Sequence, residues 1–417
     1  MQHKANTSSA KNRLTIYIII AMAAGTLTGF LVHENSSGTF QSSFSSNINL
    51  LTTIFLRLVQ MIIAPLVFST LVVGIAKLGD LKTVGRVGGK ALLWFVSASL
   101  VSLFIGLILV NFFKPGEAIH LGNADVSATK ELANNTQQFS LSNFIDHVFP
   151  KSIFQAMASN EILQIVLFSV FFGIAATAIG EYAKPLIRAL EALSHIILKM
   201  VGYVMNFAPL GVFGALAAII ATQGFTVFTF YGDYLLYFAF GVIILWIVMI
   251  GVGSLILKHK ISSMLSHIAQ PLLIAFGTTS SEAAFPKLTE ELERFGCSEK
   301  IVAFTLPLGY SFNLTGSMIY MTFASIAIAQ AYKVPMDTPT QITMLLVLML
   351  MSKGIAGVPR AALVVVLATC DMFHIPPAGI ALILPIDHFC DMFRTSTNVL
   401  GNALATSVVS KWEGDFS

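Results

Sequence analysis

Long apolar runs alternate with polar connections, most of them short, along the first 257 residues. The runs lie at about 14–32, 50–76, 89–112, 162–180, 195–222 and 231–257. A helix needs about 20 mostly apolar residues to cross a hydrocarbon core about 30 Å thick. The pattern therefore predicts six membrane-spanning helices here, and we interpret the first run as a retained span rather than a cleaved signal peptide.

From about residue 261 the apolar segments become short, and polar residues, glycine and proline interrupt them. The interruptions lie at 277–282, 313–317 and 353–360. Non-helical backbone at membrane depth is tolerated only inside protein or along an aqueous cavity, where helix ends can bind ions and substrates. We therefore expect the functional site in the last part of the chain.

The final apolar segment, at about 380–409, has a polar face. Its polar residues are spaced by four, three, one, three and four positions, and they are Asp387, Asp391, Arg394, Thr395, Asn398 and Asn402. At 3.6 residues per turn these lie on one side of a helix. One interpretation is an Asp391–Arg394 pair that only fastens helices together. The other is a binding site with one cationic and one anionic anchor, which suits a zwitterion carrying an additional carboxylate.

Composition narrows the class of protein. Of 417 residues, 55% are hydrophobic and 11% are charged, whereas a soluble domain is about a quarter charged. The net charge of +3 comes from scattered basic residues, so nucleic acid is not an expected partner. The three cysteines form no metal-binding or disulfide pattern. We expect a protein of the lipid bilayer without a cofactor or metal.

The distribution of basic residues predicts the orientation of the chain. Lys4, Lys11 and Arg13 precede the first span, and Lys258 and Lys260 follow the sixth. The positive-inside rule then places the N-terminus in the cytoplasm. We expect both termini to be cytoplasmic in a multi-pass plasma membrane protein, in bacteria the inner membrane. A long polar connection at about 114–151 is expected to form a mobile external loop.

Four ordered segments resemble the glutamate/aspartate and dicarboxylate:cation symporters, a family that includes animal excitatory amino-acid transporters and archaeal aspartate transporters. Residues 275–281 (AFGTTSS) resemble its serine-rich first hairpin, and 356–359 (AGVP) the tip of its second. Residues 313–317 (NLTGS) resemble its NMDGT signature, and 391–399 (DMFRTSTNV) the D-x-x-R-T-x-x-N-V core of its last span. Residues 208–213 (APLGVF) also fit the family.

The resemblance implies an all-α membrane protein with eight transmembrane helices, two re-entrant helical hairpins and an elevator-type transporter fold. It also implies a homotrimer whose scaffold lies largely within 13–80 and 162–222. The transport-domain elements would be 85–113, 231–258 and 261–411. These include hairpin 1 at about 262–295, hairpin 2 at about 340–372 and the last helix at about 380–409.

The resemblance also implies substrate-binding roles. Arg394 would clamp the side-chain carboxylate of an acidic amino acid, and Asp391, with Thr395, would hold its ammonium group. Asn398 would bind the α-carboxylate, and Ser317 would offer a hydroxyl to the distal one. Arginine matches a carboxylate bidentately, so the implied roles agree with the chemistry of these side chains.

The two hairpin tips would complete the site. Backbone N–H groups around Ser280 and Ser281 would bind the α-carboxylate, and Gly357 would lie at the second tip. Arg360 is a possible accessory cation, which pairs with Asp391 in the empty site or adds a contact to the substrate. A solvated arginine on the hairpin is the alternative.

The chain departs from the family at its sodium sites. The corresponding positions are Phe95, Ala98, Ser99, Gly309, Asn313, Thr315, Ile355 and Asn402. Two carboxylates of the sodium-coupled pattern are replaced by Thr315 and Asn402. Sodium sites are built from hard oxygen ligands, often including carboxylates, so these replacements should weaken them. We therefore expect proton coupling. Alternatively, backbone carbonyls and Asn402 keep one sodium site working.

A proton-coupled carrier needs a carboxylate whose pKa crosses the working range as it moves between burial and water. The candidates are Glu282, Asp391 and Asp387. Glu282 follows the serines of the first hairpin, and the resemblance implies that a proton-coupled bacterial branch of the family also carries Glu there. The alternative for Glu282 is a solvated carboxylate favoured by the start of a helix.

These observations predict a symporter that imports glutamate or aspartate with a proton. A sodium-coupled amino-acid or C4-dicarboxylate symporter is the alternative, and a channel is a more distant one. A membrane enzyme is not expected, because Ser280 and Ser281 lack a nearby base and the chain has no HExxH or GxSxG motif.

Overall fold

A computed structural model describes residues 2–78, 81–118, 148–225, 227–352, 361–376 and 379–416. These residues are almost entirely helical, and within them the only β-structure is an isolated bridge between Cys297 and Phe416. The α-helices are α1 (Gln2–Asn35), α2 (Gly38–Leu78), α3 (Leu81–Phe113), α4 (Ile153–Ala158), α5 (Ile162–Ile179), α6 (Lys184–Met205), α7 (Ala208–Gln223), α8 (Val227–Leu257), α9 (Lys260–Thr278), α10 (Ser281–Phe295), α11 (Glu299–Phe312), α12 (Thr315–Ala331), α13 (Thr338–Met351), α14 (Ala361–Met372) and α15 (Ile380–Glu413).

Six helical segments of the described chain are long and apolar enough to cross a membrane. They are Ile16–Asn35, Gly38–Ala76, Lys82–Phe113, Ile162–Met205, Tyr231–Leu257 and Glu299–Ala331. Shorter apolar helices lie at Ala208–Gln223, Thr338–Met351 and Ala362–Met372. The prediction of an all-α membrane protein is confirmed, whereas the number of eight spans stays a prediction. Most of the expected external loop lies outside the described residues.

The predicted span at 195–222 is divided between α6 and α7. The break falls at Asn206 and Phe207, and Pro209 lies in the first turn of α7. Proline has no N–H to donate and its ring clashes with the preceding turn, so it fits the first turn of a helix but not its interior. The sequence pattern of apolar residues continues through this break and does not reveal it.

Helix α7 packs closely between α1 and α2. A Cβ atom added to Gly25 of α1 would lie 2.7 Å from the carbonyl oxygen of Phe213. One added to Gly214 of α7 would lie 2.8 Å from the carbonyl oxygen of Ile48. Small residues allow helix backbones in a membrane to approach closely and gain dispersion energy. The three helices therefore form a tightly packed group.

Helices α9 and α10 pack against each other as the first hairpin. The chain turns at Thr279, which has a φ of 51°, and Ser280 caps α10 by accepting a hydrogen bond from the Ala283 N–H. Glu291 of α10 is fully buried and lies 3.0 Å from His267 of α9. Lys287 Nζ lies 3.2 Å from Glu291 Oε1 and compensates the charge of this carboxylate. The contact between His267 and Glu291 fastens the two arms of the hairpin.

Helix α15 lies among α8, α9, α11 and α12. Its final residue, Glu413, accepts hydrogen bonds of 2.7 Å from Arg86 and from Lys90 of α3. Beyond it, Asp415 forms a 2.8 Å ion pair with Lys300 of α11. We call these contacts of Glu413 and Asp415 the C-terminal clasp. The clasp joins the ends of α3, α11 and α15.

Candidate functional site

The polar face of α15 contains a buried cation between two carboxylates. Arg394 Nη2 lies 2.7 Å from Asp391 Oδ1, and its Nε donates to the same oxygen across 3.0 Å. Its Nη1 lies 3.9 Å from Asp387 Oδ1. The Thr395 hydroxyl donates to Asp391 Oδ1 across 2.6 Å. Asp387, Asp391, Arg394 and Thr395, at i, i+4, i+7 and i+8, thus converge as their spacing predicts.

Tyr320 of α12 supports this cluster from the facing helix. Its hydroxyl donates to Asp387 Oδ1 across 2.7 Å, and its ring centroid lies 4.8 Å from the guanidinium carbon of Arg394. A cation over an aromatic face is stabilised by the quadrupole of the ring. Tyr320 was not among the residues predicted from the sequence. Its position three residues after Ser317, on the same face of α12, was the available signal.

Asn398 connects α15 to the start of α12. Its side-chain oxygen accepts hydrogen bonds of 2.8 Å from the Gly316 N–H and 3.3 Å from the Ser317 N–H. Its amide nitrogen donates to the Ser317 hydroxyl across 3.2 Å. A Cβ atom on Gly316 would clash with the carbonyl oxygen of Arg394. The break before α12 therefore brings Ser317 and Asn398 together.

Two groups of this cluster have capacity left for a ligand. Arg394 is 6% exposed, and its Nη1 has no hydrogen-bond partner among the described residues. The hydrogen bonds recorded to Asp391 all end on Oδ1, and this side chain is 19% exposed. A buried N–H without a partner costs free energy until a ligand satisfies it. The arrangement offers one donor for an anion and one acceptor for a cation.

The tip of the first hairpin lies against other elements of the structure. Tyr310 of α11 donates to the carbonyl oxygen of Ser281 across 3.0 Å. The hairpin contacts α15 through Phe276, whose ring centroid lies 5.4 Å from that of Phe393. Within the described residues, no hydrogen bond joins Ser280 or Ser281 to the polar face of α15. Their contact with the α-carboxylate of a substrate stays a prediction.

Glu282, a candidate for carrying the proton, faces α2 rather than Arg394. Gln60 of α2 donates to Glu282 Oε2 across 3.5 Å. Asp387 is buried and hydrogen-bonded to Tyr320. Asp391 accepts hydrogen bonds from Arg394 and Thr395. The three candidate carboxylates thus belong to two separate environments.

The degenerate sodium-site positions are filled by neutral groups. Asn313 donates to the side-chain oxygen of Asn402 across 3.0 Å, and a Cβ atom on Gly309 would lie 2.5 Å from that oxygen. The Thr315 hydroxyl donates to the carbonyl oxygen of Thr397 across 3.4 Å.

On α3, the remaining degenerate positions are apolar apart from one hydroxyl. Phe95 and Ser99 are buried, and Ala98 is half-buried. The Ser99 hydroxyl has no partner within the described chain. Gly357, Arg360 and Ile355 lie outside the described residues, so their predicted roles stay predictions.

Comparison with known proteins identifies the family. The model of the sodium:dicarboxylate symporter family matches residues 14–412. A C4-dicarboxylate transport protein 2 of Pseudomonas paraeruginosa is 39% identical over 404 residues, which is 96% of this chain and 90% of that protein. A C4-dicarboxylate transport protein of Rhodospirillum rubrum is 39% identical over 409 residues, 96% of this chain and 89% of the relative. A proton/sodium-glutamate symport protein of Geobacillus stearothermophilus is 36% identical over 404 residues, 96% and 94% of the two chains. The predictions of the family and of a transporter rather than an enzyme are confirmed: the chain belongs to the sodium:dicarboxylate symporter family.

Proposed function

We propose that this protein imports glutamate or aspartate together with a proton, by an elevator mechanism in a bacterial inner membrane. The observation that carries the substrate assignment is the pairing of Arg394 with Asp391 across 2.7 Å at the centre of the polar face. An acidic amino acid inserts between them, with its distal carboxylate on the guanidinium and its ammonium group on Asp391.

Charge balance favours an amino acid over a dicarboxylate. Asp387, Asp391 and Arg394 carry a combined formal charge of about −1 when both carboxylates are ionised. A C4-dicarboxylate adds two negative charges to this site, and one of them faces Asp391 without a counter-charge. An acidic amino acid brings an ammonium group of its own. Buried charges need a partner of opposite sign, so the amino acid is the better match.

A C4-dicarboxylate is the second candidate, and the names of two relatives described above favour it. An acidic amino acid needs Asp391 as the counter-charge of its ammonium group, whereas a dicarboxylate has no ammonium group to pair with it. The experiment measures saturable uptake and counterflow of labelled aspartate in liposomes, with unlabelled glutamate or succinate as competitor. Inhibition by glutamate at a concentration where succinate has no effect supports the amino acid. The reverse order assigns the protein to dicarboxylates, and unsaturable flux without counterflow assigns it to channels.

Proton coupling is supported by the loss of charge at the sodium-site positions. Asn402 and Thr315 are neutral, and the Asn402 oxygen accepts a hydrogen bond from Asn313. Carboxylates offset the charge of a bound cation, whereas neutral oxygens do so only through their dipoles. A proton instead binds a single carboxylate. Glu282 is the proposed carrier, because it lies apart from the groups that bind the substrate.

The elevator mechanism divides the helices into two bodies. The proposed fixed body contains α1, α2, α5, α6 and α7, and the proposed moving body contains α3 and α8 to α15. The close packing of α7 between α1 and α2 and the position of α15 among its neighbours support this division. We also propose that three copies of the fixed body form the homotrimer of the family.

A further inference from the structure

The boundary between α2 and α10 contains a polar contact between the two proposed bodies. Gln60 is exposed on α2, and Glu282 is half-buried in the first turn of α10. The Gln60 amide nitrogen lies 3.5 Å from Glu282 Oε2. This distance is at the long limit of a hydrogen bond. Such a contact orients the carboxylate and still breaks easily when one body slides past the other.

No cation neutralises Glu282 within the described residues, where its interactions are with neutral or acidic groups. Glu161, which precedes α5, adds a like charge, and Tyr310 of α11 is its titratable neighbour on the other side. Helices α6, α9 and α15 also pack against α10 or its hairpin partner, and none of their described residues forms an ion pair with Glu282. The start of α10 favours the ionised form through the helix dipole. Among the described residues, Gln60 is therefore the only side chain that donates a hydrogen bond to this carboxylate.

A carboxamide has a property that this position requires. Its NH₂ group donates to an ionised carboxylate, and its oxygen accepts from a protonated carboxyl group. A rotation of the amide therefore keeps Gln60 paired with Glu282 in both protonation states. A lysine ammonium group can donate but cannot accept the proton of the carboxyl group, and an ionised glutamate can accept but cannot donate.

We propose that Gln60 is a positioning residue for proton coupling, which holds Glu282 at the boundary between α2 and α10 whether or not the carboxyl group is protonated. This inference rests on the proposed role of Glu282. It assigns to the fixed body a direct influence on the pH at which the moving body loads its proton.

The test places opposite charges at residue 60 of one folded protein. Gln60→Cys is purified, reconstituted and modified with a thiol reagent carrying either a trimethylammonium or a sulfonate group. The described cysteines Cys297, Cys370 and Cys390 are buried, and the unmutated protein treated with the same reagents is the control. The measured quantity is the external pH at half-maximal proton-driven aspartate uptake.

The proposal predicts shifts in opposite directions. A cation beside Glu282 favours its ionised form and moves the midpoint to lower pH, and an anion moves it to higher pH, each by about 1 to 3 pH units. If residue 60 has no influence on the proton site, both reagents change only the rate and leave the midpoint in place. Equal midpoints, or shifts in the same direction, overturn the proposal.

A second variant distinguishes this outcome from failure of the proposed coupling. Glu282→Gln removes the proposed proton carrier and leaves Gln60 intact. If that variant still accumulates aspartate against a gradient, the role of Glu282 is wrong and the proposal for Gln60 fails with it. If accumulation is lost but the two modified forms of Gln60→Cys share one midpoint, only the inference about Gln60 fails.

Discussion

The buried charge of Arg394 is compensated by the carboxylates of Asp391 and Asp387. Arg394 is buried, and it lies 2.7 Å from one carboxylate and 3.9 Å from the other. Removing one member of a buried ionic group leaves the others uncompensated, at a cost of about 3–5 kcal/mol. Single substitutions in this cluster should therefore affect substrate binding strongly, and the identity of the substrate should decide which of them is tolerated.

Arg394→Cys should abolish uptake of glutamate and aspartate and admit a small neutral amino acid such as serine. The distal carboxylate loses its buried cation, which corresponds to a loss of affinity of about 100-fold or more. Uptake of the three labelled amino acids into liposomes provides the measurement. Arg394→Lys is the matched control, because it keeps the charge and loses the bidentate geometry. Normal aspartate uptake by Arg394→Cys removes this residue from the site.

Asp391→Asn should weaken binding of aspartate by about 10-fold to 100-fold and weaken binding of succinate less. The substitution removes the counter-charge of the ammonium group and leaves Arg394 in place. A binding titration of both ligands to the purified variant gives the two ratios. Asp387→Asn is the charge-matched control: Asp387 is hydrogen-bonded to Tyr320, and its substitution should weaken both ligands to the same extent. An equal loss for both ligands contradicts the assigned role of Asp391.

The spacing of residues predicted the polar face of α15 but not what faces it. Asp387, Asp391, Arg394 and Thr395 are near neighbours on one helix, so 3.6 residues per turn is enough to bring them together. The contact of Tyr320 with Asp387 joins residues 67 positions apart, and that of Gln60 with Glu282 joins residues 222 apart. Such contacts follow from the packing of whole helices, which no local pattern records.

At the scale of helices, the ends of α3, α11 and α15 are joined by ion pairs, and a ring contact between Trp94 and Trp412 adds to the junction of α3 with α15. The Glu413 side chain is 3% exposed and contacts two cations, of which Arg86 is 55% exposed. Exposed ion pairs contribute little individually, and networks contribute more.

The three interruptions of the apolar pattern predicted where helices end in the last part of the chain. The break between α6 and α7 was missed, because Ala208 and Leu210 continue the apolar run around Pro209.

Glu413→Gln should lower thermal stability by about 1 kcal/mol at neutral pH. The hydrogen bonds from Arg86 lower the pKa of Glu413, which lies beyond the apolar part of α15, against the opposing effect of burial. A lowered pKa in the folded state means that the stabilisation is present above the unfolded value of about 4.3 and is lost as pH falls below it.

Thermal unfolding in detergent at pH 7 and at pH 3 measures this effect. The unfolding temperatures of the two proteins should differ at pH 7, and the difference should shrink towards pH 3 as the Glu413 carboxyl group becomes protonated. A difference of the same size at both pH values means that Glu413 stabilises the clasp by a route other than its charge.

For the whole molecule, the proposed elevator requires α11 to slide along α2. A Cβ atom added to Gly74 of α2 would lie 3.3 Å from the Cβ of Ala303 of α11. This is near the separation of about 3.5–4.5 Å that a disulfide requires. Gly74→Cys with Ala303→Cys should therefore form a cross-link on oxidation that stops both net uptake and exchange.

Reduction of that cross-link should restore transport, and each single-cysteine variant should be insensitive to the oxidant. Aspartate binding by the cross-linked protein, measured in detergent, shows that the moving body remains folded. Transport at the normal rate by a fully cross-linked protein would exclude a movement of α11 along α2.

In the proposed mechanism, a proton drives the accumulation of an acidic amino acid. The most direct measurement is uptake of labelled aspartate by liposomes containing the purified protein, in sodium-free buffer, with the outside more acidic than the inside and the membrane potential clamped. We predict accumulation above equilibrium that collapses with a protonophore and is indifferent to added sodium. Absence of accumulation under the proton gradient, together with uptake restored by a sodium gradient at equal pH, would contradict it.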